Sequence, residues 1–167
     1  KITDKVTGDT SNGDGGISTL KIDKDFSGIT GAGTLAVTLT GGSTYGSNNR
    51  STIKLDSDFT GTLEVLGGSL DRLSTLGNAT VKLNNGGLFG RETPSGGPTH
   101  DFANNLIIEG NSWLIGQGQG GKVDEYAVHL TGSVSGSGTL AFTGECDWYF
   151  KGDMSGFDGS VALSNHY

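Results

Sequence analysis

The sequence predicts an all-β fold, a parallel β-helix built as a solenoid of irregular rungs, and three observations predict it. Glycine fills 31 of 167 positions and, with 19 Thr, 17 Ser and 10 Asn, makes up 77 of them, a composition poor in helix formers. The apolar residues, 32% of the chain, fall in short alternating runs between glycines, which argues against disorder. Segments also copy each other. GAGTLAVT at 31–38 returns as GSGTLAFT at 136–143, and STLKIDKDFSG at 18–28 returns as STIKLDSDFTG at 51–61, offset by 33 residues. Copied short strands are the mark of a stack in which neighbouring turns bury each other.

Taken in chain order, residues 18–22 form the first strand, as the head of the copied unit. Residues 34–39 follow in the first GxGTL segment. In 52–55, Ile53 and Leu55 face one way while Thr52, Lys54 and Asp56 face the other, the period of a half-buried strand. Residues 62–66 follow Gly61. Short runs at 79–83, 106–108 and 113–115 are bounded by Gly, Asn, Asp or Ser. In 127–130, Val128 and Leu130 oppose His129; 139–142 is the second GxGTL copy. In 147–151, Trp148 and Phe150 point inward with Cys146, and Asp147, Tyr149 and Lys151 form the outer row. Residues 160–163 close the series, where FKGDMSGFDGSVAL at 150–163 repeats IKLDSDFTGTLEV at 53–65. A β-sandwich or jelly roll gives the same alternation and is the alternative fold. Scarce hairpin signals and copied rungs favour the solenoid. Glycine suits its tight corners, as do Asn84, Asn85, Asn104 and Asn105. Segments 90–101, which holds both prolines, 116–125 and 41–50 read as loops projecting from corners. No domain boundary appears, so residues 1–167 form one domain.

The bulk numbers exclude several functions. The formal charge is −7, from 11 Lys and Arg against 18 Asp and Glu, and without a basic run the chain repels a nucleic-acid backbone. No apolar stretch is long enough for a membrane helix. A single cysteine, Cys146, excludes an internal disulfide and reads as a small buried hydrophobe. The chain starts at Lys1 without a signal peptide or lipidation motif, which fits a mature or excised domain.

No HExxH, Walker loop, nucleophile elbow or CxxC is present, and His100, His129 and His166 lack ligand spacing. Carboxylate pairs that would act on a glycoside are Asp56 with Asp58 and Asp124 with Glu125. Asp23, Asp56 and Asp153 recur with the repeat, however, which points to architecture rather than a single active site, and the chain reads as non-catalytic. No motif demands a cofactor. Calcium is the one candidate, at the oxygen-rich turn carrying Asp9, Asn12 and Asp14, although this turn lacks EF-hand spacing. Asp23/Asp25 and Asp56/Asp58 offer a second cation arrangement if they align on adjacent rungs; otherwise they cap corners through backbone N–H groups.

The aromatic residues carry the functional signal. Phe26, Phe59 and Phe157 recur with the repeat and belong to the core. Tyr149 is outward by alternation, Tyr45, Trp113 and Tyr126 lie in or beside loops, and Trp113's face is ambiguous. An exposed ring takes the apolar face of a sugar while neighbouring polar groups take its hydroxyls. The candidate carbohydrate contacts are therefore Trp113, Tyr126, Tyr149 and Trp148, with Gln117, Gln119 and Asp124 as the polar partners.

The GxGTLxxT signature followed by Phe-x-Gly-Thr/Ser, at residues 26–39, 59–66 and 136–163, resembles the β-strand repeats of bacterial autotransporter passengers and related adhesins. That resemblance implies a secreted, right-handed parallel β-helix. In size and style the chain also resembles the non-catalytic carbohydrate-binding modules of β-helical fold in gut-bacterial xylanases. This second resemblance implies binding of xylan or a related extended plant polysaccharide by a monomeric module tethered to other domains, outside the cell or on its surface. The rival expectations are a structural or adhesive surface segment and a β-helical enzyme acting on glycans.

Overall fold

In a computed structural model of the chain, residues 21–26, 28–38, 50–71, 74–91, 100–117, 127–144 and 147–163 are described. They contain sixteen strands: β1 (Lys21–Phe26), β2 (Thr34–Thr38), β3 (Arg50–Leu55), β4 (Thr62–Leu66), β5 (Ser69–Asp71), β6 (Thr80–Asn84), β7 (Gly87–Arg91), β8 (His100–Phe102), β9 (Leu106–Glu109), β10 (Asn111–Gln117), β11 (Ala127–Leu130), β12 (Val134–Gly136), β13 (Thr139–Gly144), β14 (Asp147–Phe150), β15 (Gly156–Phe157) and β16 (Ser160–Leu163). A seven-stranded sheet runs β1-β3-β5-β7-β10-β13-β16, a six-stranded sheet β15-β12-β9-β6-β4-β2, and a three-stranded sheet β14-β11-β8. Sequence neighbours thus sit in different sheets, and sheet neighbours lie a full turn apart. Every strand pair among the described residues is parallel. This is the parallel β-solenoid, and it excludes the sandwich and jelly roll, whose sheets are antiparallel.

The interior is built in columns. In the six-stranded sheet Leu35, Leu63, Val81, Leu106 and Val134 stack in register, as do Val37, Val65, Leu83 and Ile108. In the seven-stranded sheet the column is Leu70, Leu88, Leu114, Phe142 and Leu163. From the three-stranded sheet come Phe102, Leu130 and Phe150. Phe150 meets Phe142 edge to face, with ring centroids 5.7 Å apart, and so joins two sheets across the interior. The column principle also explains two exposed apolar residues. Val161 and Leu163, 56% and 80% exposed, occupy interior positions of β16, but β16 is the last strand of its sheet and no described strand stacks beyond it.

The corners follow the sequence copies closely. Asp56 Oδ1 accepts the Asp58 N–H at 2.9 Å, and Asp153 Oδ1 accepts the Ser155 N–H at 2.8 Å. Each is an Asx turn that delivers a phenylalanine, Phe59 or Phe157, to the core. These two aspartates therefore cap corners. Nor do the aspartate pairs align across rungs, because Asp23 stands opposite Thr52 and Asp25 opposite Lys54. Asn104 donates from Nδ2 to the carbonyls of Gly77 and Ala79 at 3.1 and 2.8 Å, and Asn105 accepts the Ser133 N–H at 2.9 Å. Asn85 takes φ 55° and accepts the Asn111 N–H at 3.0 Å. Asn84 is not a corner residue; it ends β6.

The Ser155 backbone N–H first, and its hydroxyl second, hold the Asp153 carboxyl below its usual value of 3.8. A pKa lowered by folding contributes stability above the unfolded value, and that contribution is lost as pH falls through the folded value. Asp153→Asn keeps the turn acceptor but removes the titration. Its melting temperature is expected to fall less steeply than the parent's below pH 4, and identical pH profiles would refute the assignment.

The copied segments do not stack as copies, and one expected loop is partly strand. The GxGTL copies lie in different sheets: residues 34–38 are β2 of the six-stranded sheet, whereas 139–144 are β13 of the seven-stranded sheet. Their shared feature is the corner before the strand, where Gly31 and Gly136 take φ 83° and 104°. The 33-residue offset is not the stacking offset either, since Phe26 pairs with Leu55 and Thr34 with Thr62. Finally, segment 90–101 is not all loop, because its ends belong to β7 and β8. Likewise Gly116 and Gln117 belong to β10 and Arg50 to β3.

Candidate functional site

Each sheet turns alternate side chains outward, and the three outer faces differ in what they leave open. On the six-stranded sheet Lys82 bridges Glu109 at 2.8 Å and Glu64 at 3.5 Å, and Asn84 donates to Glu64 at 3.1 Å. The hydrogen bond to Glu109 is the main reason the Lys82 ammonium is raised above its usual pKa; burial opposes it, and the Glu64 charge adds to it. These groups satisfy one another across rungs. On the seven-stranded sheet Ser69, Asp71 and Phe89 are buried at outward positions.

Trp113 is also outward there, since its neighbours Ser112 and Leu114 are buried, which resolves its ambiguous face. Its register partner is Gly87, whose own partner is Ser69. The indole lies across Gly87, where any Cβ would collide with Cδ1 and Nε1, and Nε1 donates to Ser69 Oγ at 3.0 Å. Trp113 thus clasps three rungs and is half-buried.

The three-stranded sheet is different. Asp101 of β8, His129 of β11 and Tyr149 of β14 stand in register on the face opposite Phe102, Val128, Leu130, Trp148 and Phe150. His129 Nδ1 lies 3.0 Å from Asp101 Oδ1. A carboxylate only accepts, so in the neutral ring this contact places the proton on Nδ1 and makes Nε2 the acceptor. The His129 and Tyr149 rings meet edge to face, with centroids 5.4 Å apart at 84°. Tyr149 is 48% exposed, the one exposed aromatic ring among the described residues. Asp101 has a side-chain exposure of 67% against 13% for His129, so the carboxylate and the phenol flank a sheltered imidazole.

Of the expected carbohydrate contacts, Tyr149 is where alternation put it. Trp148 is inside, packed against the core cluster and against Gly90, which has no side chain to displace it; its indole N–H has no acceptor among the described residues. Trp113 and Tyr149 belong to different sheets and do not form one row. Gln117 lies in β10 opposite Arg91, and its side chain is outside the described residues. Tyr126, Gln119 and Asp124, with Tyr45 and Cys146, lie outside them, and so do Asp9, Asn12 and Asp14. Asp101 and His129, which join Tyr149 in this column, were not among the expected contacts. Their signal is register, because 28 residues of chain separate two side chains that touch.

Among the described residues no three His, Cys, Asp or Glu side chains come together as a metal site, and no helix is long and apolar enough to cross a membrane. Compared with protein-family models, with curated proteins and with solved structures, the chain finds no match.

Proposed function

We propose that the protein is a non-catalytic binding module for a neutral, extended polysaccharide of the xylan class, held on the outer face of the three-stranded sheet. The observation that carries this reading is the column of Asp101, His129 and Tyr149, with the phenol exposed and the imidazole oriented by a carboxylate. A tyrosine face takes the C–H side of a pyranose, and carboxylate and imidazole acceptors take its hydroxyl protons. A shallow, rigid sheet suits a chain better than a small molecule, which needs a pocket to bury most of its surface. The net charge of −7 disfavours uronate-rich polymers. In this reading the module works outside the cell, attached to other domains.

Affinity electrophoresis tests it. Migration is expected to be retarded in gels containing xylan or β-glucan and unaffected by pectin. Tyr149→Ala is expected to weaken retention about tenfold, the loss of an interface anchor, with the melting temperature little changed because the ring is exposed. Unaltered migration with every polymer would overturn the proposal.

A further inference from the structure

The three side chains of the column come from three successive rungs, and the contacts between them run along the stack. Asp101 touches His129 at 3.0 Å, and His129 meets Tyr149 at 5.4 Å between centroids. Outward neighbours within one strand are farther apart, because alternate residues lie about 6.6–6.8 Å apart along a strand. The continuous polar and aromatic strip therefore follows the solenoid axis. Adjacent strands are about 4.7–4.9 Å apart, close to the length of one pyranose unit in an extended β-1,4-linked chain. Among the described residues the strip spans three rungs, with β8 and β14 as the two edge strands of this sheet.

We infer that the polysaccharide lies along the solenoid axis, one sugar per rung, in a site of three sugars; this rests on the binding function proposed above. Tyr149 stacks under the first sugar. His129 Nε2 accepts a hydroxyl proton from the second. The Asp101 oxygen not engaged by His129 accepts from the third. Both polar groups meet the ligand as acceptors, so the partner must present donors, as a neutral polyhydroxylated chain does. A chain of carboxylates would set its own acceptors against Asp101.

Calorimetric titration of the intact protein with β-1,4-xylo-oligosaccharides of one to six sugars tests this. Affinity is expected to rise at each step up to the trisaccharide and then stay level within about twofold, well below one decade in Kd. Tyr149→Ala and Asp101→Ala remove terminal subsites, so each is expected to move the plateau to the disaccharide. His129→Gln, which keeps an acceptor, is expected to keep the plateau at three. Suppose xylan retards the protein but affinity keeps climbing to the hexasaccharide, is flat from the monosaccharide, or keeps its plateau at three in both Tyr149→Ala and Asp101→Ala. The axial three-sugar site is then wrong while polysaccharide binding stands. If neither polymer nor oligosaccharide binds, both fall together.

Discussion

Leu83→Ala is expected to remove about 2–5 kcal/mol of stability, the range for truncating a fully buried leucine. Leu83 is 0% exposed and lies between Val65 and Ile108 in an interior column. The neighbours that would have to collapse into the cavity are fixed by parallel ladders on both sides, so relaxation is limited and the upper half of the range applies. Urea unfolding is the measurement. The midpoint should fall while the slope, which follows the area exposed on unfolding, stays constant. A loss below about 1 kcal/mol would mean that the columns are loosely packed and that the ladders carry the fold.

The second large effect is expected at a corner. Gly136 takes φ 104°, beyond the left-handed region that Asn tolerates, and a Cβ there would run into the Ile108 carbonyl oxygen of the adjacent rung. Gly136→Ala is therefore expected to cost more than the ~1–3 kcal/mol of backbone strain alone, since the ladder must also open. Gly28→Ala is the control. No atom lies within 4 Å of the added Cβ and no positive φ is required, so it is expected to be neutral or to stabilise by about 0.4–1 kcal/mol through the unfolded chain. Equal effects at the two positions would refute the corner argument.

The architecture was legible in the sequence because each rung states its facing locally. Ile53 and Leu55 against Lys54, and Val128 and Leu130 against His129, lie as their alternation says. The Asx corners at Asp56 and Asp153 were legible too, since their chemistry spans three residues. Strands β5, β7, β8, β12 and β15 were not. A rung held by neighbours on both sides needs only one or two inward residues, such as Leu70, Leu88 or Phe102, and that is too short to show a period. The site was half legible for a related reason. Alternation exposes Tyr149, but placing Asp101 and His129 beside it requires the register between strands, which depends on how much chain each corner stores.

That storage varies widely. Thr62 stacks on Thr80 after 18 residues and Asn111 on Thr139 after 28, yet the interior columns stay unbroken. The molecule thus counts by column and not by residue. A mutation that lengthens or shortens a corner leaves the next strand seated on the last, whereas a one-residue slip within a strand turns its whole core face outward. Insertions are in this sense a free coordinate for the solenoid. New binding surfaces can be spliced in at the roomier corners, mainly at the expense of loop closure, while the stack beneath keeps its register.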